Sequence, residues 1–306
     1  MSFILLGILN SQAAGVLAAV AGYVAGGNDS STTVDTVDKF AFPSDTRSSF
    51  SLSGVRETAA GLSNPGSAGY LAGGYTTDQS SQIYKNSFPA DTGSIISATL
   101  SAARNRLPGF SNYSVAGYAA GGFEGSSVTT VDKLDFSAET VSTLATGLSE
   151  AVTYNAGMYD TGVAGYSAGG FGATATVDKF AFPSDSKSTL ATGLAVARGF
   201  VMGFSNPAVA GYTAGGNTGG GNWQSVVDKF AFPSDSRSTL SSGLSTAAGL
   251  GAGFSDPEVA GYVSQGQDSG AYVATVDKFA FPSDSRSTLG TGLSVARRQT
   301  SGFQDA

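Results

Sequence analysis

The 306-residue chain contains no cysteine and no histidine. Those two absences exclude a disulfide framework, thiolate and imidazole metal sites, and any nucleophile activated by a histidine base. Charge is scarce as well, at 13% of residues with a net charge of -7. Nucleic-acid binding needs clustered Lys and Arg along a phosphate track, so no nucleic-acid partner is expected. The apolar stretch at the start, "SFILLGIL" at residues 2–9, falls well short of the about 20 residues of a membrane-crossing helix, so no membrane span is expected. The chain also lacks a P-loop, a dinucleotide fingerprint, a zinc pattern and an EF-hand loop, so it is read as carrying no cofactor, no metal and no catalytic residues.

Glycine is abundant at 43 residues, yet the apolar fraction is 41% and aromatics are spread along the whole chain. That combination describes a packed β protein rather than a low-complexity chain. Tyrosine supplies the ruler. "AGY" ends at Tyr23, Tyr70, Tyr118, Tyr166, Tyr212 and Tyr262, with spacings of 47, 48, 48, 46 and 50 residues. Six copies of one unit therefore fill the chain. A diglycine follows five of the six tyrosines, and the sixth reads Gln265-Gly266.

Each unit divides into four short β segments separated by turn residues. In the fifth, "GFVMGFS" (199–205) and "AVAGYTAGG" (208–216) flank an Asn-Pro turn, and "VVDKFAF" (226–232) alternates with strand periodicity. "PSDS" supplies the next turn, because proline fixes φ and removes a ladder donor, and "RSTLSSGL" (237–244) is the fourth strand. The octapeptide "DKFAFPSD" recurs at 38–45, 178–185, 228–235 and 277–284, which makes it a repeated structural corner. Phe40 and Phe42 share a face and are expected to fill the space between sheets. Asp45 with Arg47, and Asp284 with Arg286, are expected to hold the corner itself.

A four-stranded unit cannot bury both sheet faces alone, so the units must stack. Radial stacking gives a propeller, with the small residues of "AGYTAGG" expected nearest the axis. The C-terminal "ARRQTSGFQDA" (296–306) contains the first strand of a further unit and stops, while "GVLAAVAGYVAGG" (15–27) begins with the second strand. The two fragments complement each other. The expected fold is an all-β, six-bladed propeller over residues 15–306, closed by the C-terminal strand completing the first blade. The unit resembles the Kelch family in the Arg near its start (Arg104, Arg198, Arg297), the diglycine, and the aromatic ending strand three (Phe42, Phe182, Phe232). It departs from Kelch in strand four, where Phe50, Leu144, Leu190, Leu240 and Leu289 stand in place of the usual Trp.

Asp38, Asp132, Asp178, Asp228 and Asp277 recur on the third strand, each before a basic residue, away from the axis where a carboxylate ring for a cation would sit. They are read as scaffold. The loops between strands two and three vary in length and content and should emerge on one face. Tyr75, Phe123, Phe171, Trp223 and Tyr272 lie in them amid Ser, Thr, Asn and Gly. Two roles are open to these aromatics: stacking on sugars or adaptable protein contacts, or folding back to cap the core. The shorter Asn-Pro and Asp-Pro turns belong to the other face.

Residues 1–14 fit no blade. Phe3, Ile4, Leu5, Leu6, Ile8 and Leu9 form an apolar tail, read either as an anchor docking into a partner subunit or as a segment packing on the propeller. "LLGILNSQAAG" (Leu5–Gly15) resembles the N-terminal peptide of structural proteins of marine and cyanobacterial tailed phages. That resemblance implies a non-enzymatic virion protein on the particle surface, on capsid, neck or tail, tethered to other virion subunits and available to host-surface glycans. The alternative is a secreted or cell-surface lectin with a cleaved leader. For that reading "SQAAG" offers small residues, but no Lys or Arg precedes the apolar run.

Overall fold

In the computed structural model, which describes Val20–Asp305, each sequence unit folds into one four-stranded antiparallel sheet, and six such sheets stand around an axis. The expected propeller is the observed one. The first blade is assembled from both ends of the chain: Ser301–Asp305, Ala21–Ala25, Thr36–Ala41 and Thr46–Ser51, in that order from axis to rim. Tyr23 stands opposite Phe303, and Ala25 opposite Ser301, so the C-terminal strand closes the ring in full register. The apolar anchor residues Phe3 to Leu9 lie outside the described residues.

The axis corrects one expectation. The innermost strand of each blade is not the one carrying "AGY" but the one before it, such as Ala156–Asp160 or Met202–Asn206, which packs against its counterparts in both neighbouring blades. The reason is a ring of glycines. A Cβ on Gly61 would stand 2.0 Å from the Gly302 carbonyl oxygen, one on Gly157 would stand 1.9 Å from that of Gly109, and Gly203 and Gly253 repeat the pattern. Backbones touch there, and no side chain fits. The glycine of "AGY" answers a different crowding: the neighbouring blade's Phe lies over it, as Phe254 does over Gly22.

The corner octapeptide corrects a second. Asp45 does not pair with Arg47 across its own turn. Its carboxylate accepts from the Tyr262 hydroxyl at 2.7 Å and from Lys278 Nζ at 2.6 Å, both in the sixth blade. Every blade junction repeats this clamp. Tyr23 and Lys39 donate to Asp91, Tyr70 and Lys85 to Glu139, Tyr118 and Lys133 to Asp185, Tyr166 and Lys179 to Asp235, and Tyr212 and Lys229 to Asp284. The turn holds its acid in the left-handed region (Asp45 φ 56°, Asp235 φ 56°), aimed at the next blade rather than along its own strand. The Phe pair works beside it as expected: Phe40 stacks on Phe254 at 5.6 Å, and Phe42 on Tyr262 at 5.2 Å. "DKFAFPSD" is thus one half of an inter-blade joint at four junctions, and the variant corners ending in Asp91 and Glu139 supply the same acid at the other two.

The third-strand aspartates are buried inside their own blades. Asp38, Asp132 and Asp228 pair with the fully buried Arg297, Arg104 and Arg198 at 2.8, 2.6 and 3.0 Å. Each arginine also donates to the carbonyl of the first diglycine residue: Gly26, Gly121 and Gly215 respectively. Burial pushes the Asp38 carboxyl upward, but the Ser49 hydroxyl, the Arg297 charge and the Ser294 amide together hold it below the usual range. In the sixth blade Ala248 occupies the arginine position, and the diglycine is broken at the same time. Gln265 stands there instead, and its amide donates to Asp277 at 2.6 Å. In this blade the Gln265 amide takes over the contact to the aspartate that an arginine makes elsewhere, whereas the fourth blade, with Val152 at the arginine position, keeps its diglycine.

Candidate functional site

On the face carrying the long loops, each innermost strand is entered through one residue two positions after the buried-arginine site: Thr58, Arg106, Tyr154, Phe200, Leu250 and Gln299. All six have φ between 54° and 63°. Their backbones form a circlet around the axis, in which the amide of Arg106 donates to the Thr58 carbonyl, Tyr154 to Arg106, Leu250 to Phe200, Gln299 to Leu250 and Thr58 to Gln299. Joining six strands around a shared centre forces that left-handed conformation. Glycine adopts it at no steric cost, whereas side-chain-bearing residues adopt it only where something outweighs the strain. The chain spends 43 glycines elsewhere, yet places six different side chains at this ring.

Around the ring lies a cavity of about 730 Å3, walled by Arg106, Tyr154, Phe171, Phe200, Trp223 and Arg298, with the bare Gly219–Gly221 loop on its outer side. Phe200 is its centre of contact. Tyr154 lies 4.7 Å from it, Phe171 meets it edge-on at 5.4 Å, and Trp223 stands 6.0 Å away. Phe171 is 60% exposed. Trp223 rests on the Gly249 backbone, which has no Cβ to obstruct the indole. The Gln299 amide donates to the Tyr154 hydroxyl at 2.9 Å, fixing that ring, and burial raises the pKa of the phenol.

The cations of the mouth lie on aromatic faces. The Arg106 guanidinium sits 4.8 Å from the Phe123 ring and 5.4 Å from Tyr154, and among the described residues it forms no hydrogen bond or ion pair. Arg298 lies 4.7 Å from Tyr272 and donates to the Gln267 side chain, while its Nε has no partner. Glu57 is nearby. Burial raises its carboxyl, and the Thr33 hydroxyl and the two arginines oppose that rise, but neither arginine approaches it within ion-pair distance. Among the described residues no cluster of His, Cys, Asp or Glu has the makings of a metal site.

The five loop aromatics named from the sequence are thus divided by the structure. Phe171 and Trp223 meet in the cavity through Phe200. Phe123 and Tyr272 serve as platforms for Arg106 and Arg298. Tyr75 lies outside the cavity wall, its backbone paired with that of Glu57. All but Phe171 are half-buried, so capping and presentation are both realised. The sequence reading passed over Arg106, Tyr154, Phe200, Arg298 and Gln299. A signal for four of them was present, since the ring position carries a different residue in each of six otherwise similar units.

No protein-family model matches the sequence, and no curated protein matches it. Among solved structures, the one described as "Structure of YjhT" superposes with a TM-score of 0.67 at 12% identity, covering 89% of this chain and 97% of that one. At that identity the likeness shows the propeller fold.

Proposed function

We propose that this chain is a non-enzymatic binding propeller, a structural protein of a phage particle that is held by its N-terminal peptide and presents its loop face to a host-surface glycan. The observation that carries the binding half is the axial cavity, where four aromatic rings and two arginines converge, three of them (Arg106, Tyr154 and Phe200) at left-handed backbone positions ill suited to side chains. The interior acids repeated from blade to blade support the non-enzymatic half, because the clamp and arginine-paired carboxylates are engaged in joints of the scaffold. The location of Val20 supports the display reading. Its amide bonds the Asp305 carbonyl and its carbonyl accepts from Phe42 at the short-turn face, opposite the cavity. A tether joined there leaves the cavity mouth facing outward. Exposed Val115, Val163, Val209 and Val259 occupy the same repeat position as Val20 and give that face an apolar ring on which a subunit can seat. The arginine, diglycine and aspartate network supports classing the blades with the Kelch type.

The test has two arms. Intact mass and copurification of the natural protein should find residues 1–14 retained in a large particle, and a free chain beginning near Ala13 would replace the virion reading with the secreted lectin. A glycan array probed with the full chain should give signals that Trp223→Ala abolishes. An array with no signal would remove the glycan reading.

A further inference from the structure

Resting on the glycan-binding reading, we infer that the axial cavity selects acidic glycans, with Arg106 and Arg298 as the anion-binding pair and Phe200 and Trp223 as the platforms for the sugar rings. Arg106 is the decisive residue. It occupies a left-handed backbone position (φ 60°) that glycine would fill without strain, and its guanidinium spends none of its five N–H donors on the protein. A charge held on two aromatic faces with every donor free is oriented but unsatisfied. Arg298 lies on the Tyr272 ring and spends one donor on the Gln267 side chain, with Nε unpartnered. Guanidinium groups offer carboxylate and sulfate a planar pair of donors, so the shared chemistry is an oxyanion carried on a sugar.

A glycan fits better than an acidic peptide. One common mode of binding an extended peptide adds it to an unpaired strand edge. At this mouth five of the six ring amides are already donated from blade to blade around the circlet, which leaves mostly side chains as the recognising groups. The side chains that remain are flat rings and forked cations, and Gly219, Gly220 and Gly221 leave the outer wall open, with nothing within 4 Å of where a Cβ would stand.

The experiment is calorimetric titration of the full chain with three oligosaccharides of matched length: oligogalacturonate, a heparin-derived fragment and neutral cello-oligosaccharide. Polyglutamate serves as the peptide control. Acidic sugars should bind more tightly than the neutral one and weaken as salt is raised. Arg106→Gln and Arg298→Gln should each lose about tenfold or more of the acidic binding. Arg106→Gly should lose the same binding without lowering the melting temperature, since glycine relieves the backbone. The galacturonate and heparin arms tell carboxylate from sulfate recognition. Equal binding of neutral and acidic sugars, wild-type affinity in the arginine variants, or equal binding of polyglutamate would overturn the inference and leave the glycan reading standing. Binding of no sugar at all would overturn both.

Discussion

Raising the pH should dismantle this propeller at its blade junctions, and the steepness of the loss can be worked out in advance. At each of the six junctions a buried tyrosine donates its hydroxyl to an acid of the next blade. Burial first, and the facing carboxylate with it, pushes Tyr23, Tyr118, Tyr166, Tyr212 and Tyr262 far above the ordinary value, and Tyr70 likewise with Glu139. In the unfolded chain these phenols titrate near about pH 10. The folded state therefore keeps protons that the unfolded state releases. Stability is complete below about pH 10 and falls from there upward, by about 1.4 kcal/mol per tyrosine for each pH unit. Six clamps lose about 8 kcal/mol per unit, comparable to the whole of a typical folding free energy of about 5–15 kcal/mol. Unfolding should therefore come within one to two units above about pH 10. Denaturant titrations followed by Trp223 fluorescence from about pH 9 to about pH 11 measure the slope directly. Tyr262→Phe should reduce it by about 1.4 kcal/mol per unit. A flat free energy across that range, or an unchanged slope in Tyr262→Phe, would refute the reasoning.

Three further outcomes follow from the scaffold. Gly203→Ala places a Cβ 2.1 Å from the Gly157 carbonyl oxygen, a backbone atom with no room to yield, and should cost about 3 kcal/mol or more, read as a falling denaturation midpoint. Gln265→Ala leaves the buried Asp277 without its amide donor and should cost about 1–3 kcal/mol. The double variant Ala248→Arg with Gln265→Gly rebuilds the arrangement of the first, third and fifth blades and should recover that loss, whereas an equally unstable double variant would show that the two positions are not coupled. Deleting residues 297–306 removes the innermost strand of the first blade together with the Arg297–Asp38 pair. The melting temperature should then drop sharply, and an unchanged one would mean that the ring is held shut elsewhere.

The repeat period, the strand count and the closing strand were all legible in the sequence because they depend on local properties. Alternation in "VDKFAF", proline at the corner and the complementary fragments at the two ends follow from backbone chemistry within a few residues, repeated six times. Radial order was not legible. Glycine in "AGY" and glycine in the preceding strand look alike in sequence, and only the packed ring shows that one faces a neighbouring Phe while the other faces a backbone carbonyl at the axis. The partner of Asp45 was hidden for a related reason. Arg47 is two residues away, but Tyr262 and Lys278 are more than two hundred away, and closure of the ring is what brings them within hydrogen-bond distance.

The candidate site lies furthest from sequence reasoning. Trp223 and Phe171 stood out as aromatics in polar loops, a compositional signal. Phe200, Tyr154 and Arg106 sit inside what reads as ordinary unit sequence. Their importance comes from six equivalent positions converging on one axis in one strained conformation. The sequence by itself determined how many blades there are and how the chain closes, since hydrophobic period and turn chemistry act along the chain. Only the tertiary structure decided which side chains share the mouth, because that depends on a symmetry which places residues about fifty positions apart side by side.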